Sequence, residues 1–260
     1  MKAWKRIVVK VGTSTICRSD GTLNLRKIER FARILTDLKN EGHDVILVTS
    51  GAIMVGAHKI GWGRRPATMA GKQAAAAIGQ CELMSIYDRY FMEYGSTTAQ
   101  LLLTKDVTEN EEARRNVIAT FQELLKTHAI PIINENDSIA TEEIVYGDND
   151  TLSAVVACLS DADLLIILSD IEGLYEADPS VHPEARLIPV VHDLDAVIKA
   201  AGGSHTENGT GGMVTKLHAV SIAAKQHIPV IIASGEDPHI LYDISDGHQR
   251  GTLFEIGDAQ

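Results

Sequence analysis

Short apolar runs rich in Val and Ile recur at Ile7 to Val11, where Lys10 is the one charged member, and at Val45 to Thr49, Ile130 to Ile133, Leu164 to Leu168 and Val230 to Ala233, with helix-patterned segments between them. A strand with one wet face alternates polar and apolar residues. These runs do not alternate, so each must be covered on both faces, as parallel strands are beneath crossover helices. Between the first two runs, Ile28, Phe31, Ala32, Leu35 and Leu38 share one helical face, and Gly42 follows where such a helix stops. That is a βαβ unit. Further helices are predicted over Thr68 to Tyr94, Glu109 to His128, Thr151 to Leu159, Leu194 to Ala201 and Met213 to Gln226. The expected fold class is α/β with a mainly parallel central sheet, in a single domain of two lobes, since no low-complexity linker divides the chain.

Composition narrows the function. A net charge of -11 disfavours non-specific nucleic-acid binding, which depends on Lys and Arg displacing counterions from phosphates. No apolar run approaches the roughly 20 residues of a membrane span, and the basic start MKAWKRIVVKVG leads straight into a strand instead of a secretory signal, so a cytoplasmic location is expected. Cys17, Cys81 and Cys158 lie far apart without a CxxC spacing, and the ten histidines offer no metal-binding pattern, so neither a disulfide framework nor a metal centre is expected.

In open α/β sheets, ligands bind beyond the carboxyl ends of the strands. There the chain carries Gly12-Thr13-Ser14, Ser50-Gly51-Ala52, Asn134-Glu135-Asn136-Asp137 and Ser169-Asp170 followed by Gly173. Glycines let backbone amides approach an anion, and neighbouring hydroxyls add donors, so these ends suit phosphate. The segment Gly209-Thr210-Gly211-Gly212-Met213-Val214-Thr215-Lys216 opens a predicted helix, whose free amides and positive dipole end also favour an anion. It is neither a Walker A loop nor a Rossmann GxGxxG.

Lys10 closes the first strand, where a buried ammonium needs an anionic partner unless it snorkels to water. Gly147-Asp148-Asn149-Asp150 places two carboxylates and an amide before the helix predicted from Thr151, more polar groups than an N-cap requires. With Asn134 and Asp137 they suit a substrate ammonium, a metal or an active-site lysine. The intervening segment Ala140 to Gly147 lacks helical periodicity and reads as a hairpin or flap.

Five motifs, VVKVGTS at 8 to 14, VTSGAI at 48 to 53, IPIINENDSIAT at 130 to 141, GDND at 147 to 150 and GTGGMVTKL at 209 to 217, closely resemble those of the glutamate 5-kinases within the amino acid kinase superfamily. The resemblance runs through essentially the whole chain. It implies a three-layer αβα sandwich, with a substrate-binding lobe over about residues 1–160 and a nucleotide-binding lobe over about 161–260. It further implies transfer of the ATP γ-phosphoryl to the γ-carboxylate of L-glutamate, the first step toward proline, with Mg²⁺ bound through the ATP phosphates.

By the same resemblance, Lys10 and Lys216 contact the transferring phosphoryl group and Asp150 holds both lysines. Ser50, Gly51, Asn134, Asp137, Asp148 and Asn149 bind glutamate, while Gly12, Ser169, Asp170, Gly211, Gly212, Met213, Val214, Thr215 and Leu217 join the lysines around the nucleotide. A homo-oligomer is expected, with the long apolar helix Ala70 to Tyr94 as a candidate interface, and the resemblance further implies feedback inhibition by proline. Many bacterial relatives append a PUA domain, whereas this sequence stops at Gln260, so properties tied to that domain are not expected. The competing readings are another activity of the superfamily, on aspartate, N-acetylglutamate, carbamate or a nucleoside monophosphate, and a nucleotide-sensing module without catalysis.

Overall fold

The computed structural model describes residues 4–104, 106–139, 149–202 and 211–255. The first half runs β1 (Arg6–Val11), α1 (Thr13–Ile16), α2 (Leu25–Asn40), β2 (Asp44–Val48), α3 (Ala52–Lys59), α4 (Met69–Glu93), β3 (Thr98–Leu103), α5 (Asp106–Glu109), α6 (Glu111–Lys126) and β4 (Ile130–Glu135). The second runs α7 (Asn149–Ser160), β5 (Leu164–Ser169), β6 (Val190–Val191), α8 (Leu194–Gly202), α9 (Gly211–Ala224), β7 (Val230–Ser234), α10 (Ile240–Ser245) and β8 (Thr252–Phe254).

The strands form one sheet in the order β3-β4-β2-β1-β5-β7-β8-β6. Every pairing is parallel except β7 with β8. The chain leaves the central β1 outward through β2 and later returns to its other side as β5, so the loops beyond these strand ends part over a crevice.

Side chains alternate across a strand, and here both faces are covered. Ile7, Val9 and Val11 pack with Phe31 and Leu35 of α2, Tyr87 and Phe91 of α4, and Leu241 and Ile244 of α10. Val8 packs on the other face, with Phe121 of α6, Leu152 and Val156 of α7, and Leu217 and Val220 of α9. The result is the expected three-layer αβα sandwich. By the same alternation Lys10 shares the face of Val8, beneath α7 and α9.

The helix α4 lies close to α3 because each presents a glycine to the other. A Cβ on Gly56 would lie 1.8 Å from the Ala75 carbonyl oxygen, and one on Gly79 1.8 Å from that of Ala52. Beyond this crossing, Gln80, Leu83, Tyr87 and Phe91 are buried along one side of α4.

Several boundaries differ from expectation. The predicted helix Glu109 to His128 is interrupted, because Asn110 caps α6 by accepting from the amides of Glu112 and Ala113 at 2.8 and 3.1 Å. The helix predicted from Thr151 starts at Asn149, so Asp150 stands inside its first turn. The strands β3, β6 and β8 lie outside the five apolar runs, β3 at a sheet edge where its residues are mostly half-exposed. The expected flap at Ala140 to Gly147 lies outside the described residues. No described helix is long and apolar enough to cross a membrane.

Candidate active site

Asp150 is fully buried and bridges two lysines from distant parts of the chain. Its Oδ1 stands 2.5 Å from Lys10 Nζ at the end of β1, and its Oδ2 stands 3.0 Å from Lys216 Nζ on α9. Lys216 occupies the second turn of α9 and reaches back toward the helix N-terminus, as helical side chains do, to donate to the Gly212 carbonyl oxygen at 3.1 Å. Thr215 Oγ1 adds a 3.3 Å contact to Asp150 Oδ2. Both lysines are less than one-tenth exposed. Two ammoniums around one carboxylate leave these three side chains with a net positive charge in a dry setting, which is the electrostatics of an anion receptor.

A cavity of about 220 Å³ opens in front of the two ammoniums, lined by Lys10, Gly12, Thr13, Ser14, Ser50, Leu168, Ser169, Asp170 and Lys216. A Cβ on Gly12 would lie 3.5 Å from Lys10 Nζ, so glycine keeps the approach to that cation open. Ser169 Oγ donates to Asp170 Oδ1 at 2.9 Å.

A second cavity of about 270 Å³ adjoins the first through the shared residues Thr13 and Ser50. Gly51, Ala52, Ile53, Met54, Arg65, Asn134, Glu135, Asp137 and Asn149 complete its wall. Gly51 turns the chain from β2 into α3 at φ 98°, a left-handed conformation that side chains disfavour. Asn149 Nδ2 donates to Asn134 Oδ1 at 2.9 Å and also to the Thr49 carbonyl, and Asn134 Nδ2 donates to Gln80 Oε1 at 2.8 Å. Burial pushes the Asp137 carboxyl above its ordinary range, and the positive charge of Arg65 offsets part of that shift. The wall thus offers a carboxylate for an ammonium, and an arginine with several amides for a carboxylate.

The four strand ends flagged in the sequence do meet. Gly12, Ser50, Gly51, Asn134, Asp137, Asn149, Ser169 and Asp170 line one or both cavities with the two lysines. Others lie elsewhere. Leu217 is buried in the core, Met213 packs against that core, and Val214 is 53% exposed. Gly211 and Gly212 open α9, with Gly212 contributing its carbonyl to Lys216. Gly173 packs against Thr252, since a Cβ there would lie 2.6 Å from Thr252 Oγ1. Asp148 lies outside the described residues. Thr13 and Glu135, members of the strand-end segments, also line the cavities, and Arg65 does so without a signal at any strand end. Arg65 sits in the turn Gly61 to Pro66 between two helices, where only its charge beside glycines hinted at a role.

Among the described residues no cluster of His, Cys, Asp and Glu is arranged to hold a metal ion. Asp150 has an ammonium at each carboxylate oxygen, so its chemistry does not suit a cation ligand. The donor set of the smaller cavity fits phosphate, and a divalent cation there fits as a passenger on phosphate oxygens.

A mainly parallel sheet with a lysine pair and strand-end glycines at its carboxyl edge defines a class of phosphate-handling enzymes, and the family model for the amino acid kinase family matches residues 5–234. The chain belongs to that family. Within it, a glutamate 5-kinase from Clostridium perfringens is 49% identical over 98% of this chain and 96% of its own length. One from Listeria innocua is 49% identical over 98% and 94%, and one from Symbiobacterium thermophilum 49% identical over 96% and 95%. The branch to which the chain belongs is therefore that of the glutamate 5-kinases. A crystal structure of UMP kinase from Bacillus anthracis shares the fold, with a TM-score of 0.70 at 15% identity over 99% of this chain and 98% of that one.

Proposed function

We propose that this chain transfers the γ-phosphoryl group of ATP to the γ-carboxylate of L-glutamate, giving L-glutamyl 5-phosphate and ADP, the first step of proline biosynthesis. The observation that carries the reading is the pair of cavities joined at Thr13 and Ser50, one faced by two ammoniums and the other walled by Asp137, Asn134, Asn149 and Arg65. In this reading ATP lays its terminal phosphates before Lys10 and Lys216. Glutamate enters the larger cavity with its ammonium toward Asp137 and its γ-carboxylate toward the shared wall. The acceptor lobe then falls largely before residue 160, and the donor lobe completes the phosphate site with Ser169, Asp170 and Lys216.

The acceptor is already an anion, so the reaction needs no general base. A γ-carboxylate oxygen forms the new bond to phosphorus as the bond to the β-phosphate oxygen breaks, and the electron pair leaves with ADP. The work of the protein is to hold two anions in line and to neutralise the charge that would drive them apart. Lys10 and Lys216 supply the charge, and Asp150 fixes where each ammonium points. Mg²⁺ bound on the phosphate oxygens supplies further neutralisation.

The test is ADP release with each acceptor offered in turn. L-glutamate is expected to support turnover, with hydroxylamine trapping the acyl phosphate as a hydroxamate. Turnover with aspartate, N-acetylglutamate, carbamate or UMP but not with L-glutamate would overturn the proposal.

A further inference from the structure

Gln80 lies on the buried side of α4, only 8% exposed, in line with Leu83, Tyr87 and Phe91. Its surroundings call for another apolar side chain, and its Nε2 finds no acceptor among the described residues. Burying such a donor unmet is unfavourable, so the residue needs a reason. Its other end supplies one. The backbone amide of Glu135 donates to Asn134 Oδ1 at 2.9 Å, which fixes the orientation of the Asn134 amide without ambiguity. Asn134 Nδ2 must then face Gln80, and it donates to Gln80 Oε1 at 2.8 Å. The same Asn134 Oδ1 accepts from Asn149 Nδ2 at 2.9 Å. Asn149 also donates to the Thr49 carbonyl, and the Thr49 hydroxyl meets Tyr87 OH at 3.0 Å. Both anchors of the Asn149 amide thus touch a polar side chain of α4, seven residues apart on one helical face.

We propose that Gln80 is a positioning residue for the acceptor: acting through Asn134, it sets the plane of the Asn149 amide in the wall of the larger cavity. Gln80 does not line that cavity itself, and the proposal rests on reading the cavity as the acceptor site. Without Gln80 Oε1, the Asn134 amide loses the acceptor that holds its Nδ2 and turns in search of another. Asn149 then loses its aim at the substrate. The phosphate cavity, built on other residues, keeps its geometry.

The test uses the full chain in three variants, with melting curves confirming that each folds. Gln80→Met keeps the volume and removes the oxygen, and is expected to raise KM for L-glutamate about tenfold while KM for ATP stays within twofold. Gln80→Glu keeps an acceptor oxygen toward Asn134 and is expected to restore most of the loss. Asn149→Ala removes the group being aimed, so adding Gln80→Met to it is expected to raise KM for L-glutamate no further. Equal changes in the two KM values, or additive effects of Gln80→Met and Asn149→Ala, would overturn the relay while leaving the acceptor site in place. If the unaltered chain shows no glutamate-dependent ADP release, the reading of the cavity falls and the proposal falls with it.

Discussion

Replacing Asp150 by asparagine removes one charge and almost no volume from the centre of the molecule. The carboxylate is fully buried, and the two lysines it holds are 5% and 6% exposed, so neither can recover its lost partner from bulk water. Removing one member of a buried ion pair destabilises a fold by about 3–5 kcal/mol. For a domain of this size that corresponds to a fall in melting temperature of roughly 6–20 °C. The lysines, no longer held, repel each other, and with the phosphoryl group no longer met in line kcat is expected to fall about 100-fold or more. A third effect is specific to this geometry. The three side chains carry a net charge of about plus one before the substitution and plus two after it, so an anion between the lysines is held more strongly. Inorganic phosphate should therefore raise the melting temperature of Asp150→Asn by more than that of the unaltered chain. The assays are differential scanning calorimetry with and without phosphate, and steady-state ADP release. An Asp150→Asn protein that melts with the unaltered chain and turns over within twofold of it would show that the carboxylate does not organise the two lysines.

Two further outcomes follow from the walls of the site. Burial holds the Asp137 carboxyl above its ordinary value of 3.8, and its role toward an ammonium requires the ionised form. Binding is then complete at high pH and is lost as pH falls through that raised value, so kcat/KM for glutamate should decline on an acid limb that Asp137→Asn removes. For stability the same raised pKa has the opposite sign, since the cost of burying the charge is present at neutral pH and relieved by acid. At the α3 and α4 crossing, Gly79→Ala brings a methyl within 1.8 Å of the Ala52 carbonyl oxygen. The helices must part, at a cost of about 1–3 kcal/mol or more, and a melting curve unchanged by the substitution would contradict the close approach.

The strands buried on both faces were legible because burial leaves no polar alternation: β1, β2, β4, β5 and β7 coincide with the apolar runs. The missed strands are those that burial does not mark. Half of an edge strand such as β3 meets solvent, and β6 and β8 are too short for any pattern. Within the site, residues announced by an uncomfortable location were legible, Lys10 at the end of a buried strand above all. Arg65 was not, because its place depends on how the α3 to α4 turn folds over the crevice. Gln80 was not either, since directly after Ala74 to Gly79, where only Ile78 is large, it reads as an incidental polar residue of a core helix. Leu217 stands next to Lys216 in the same motif, but successive helical residues point about 100° apart, and its side chain faces the core.

Delivery of phosphorus onto a carboxylate oxygen across the joined cavities can be followed with L-glutamate labelled with ¹⁸O in its γ-carboxylate, turned over with ATP in the presence of hydroxylamine. Hydroxylamine attacks the acyl carbon, so phosphate leaves with the oxygen that joined carbon to phosphorus. Direct transfer predicts inorganic phosphate that carries one ¹⁸O for each hydroxamate formed. Phosphate free of the label would mean that water, not the carboxylate, receives the phosphoryl group, and would exclude direct transfer.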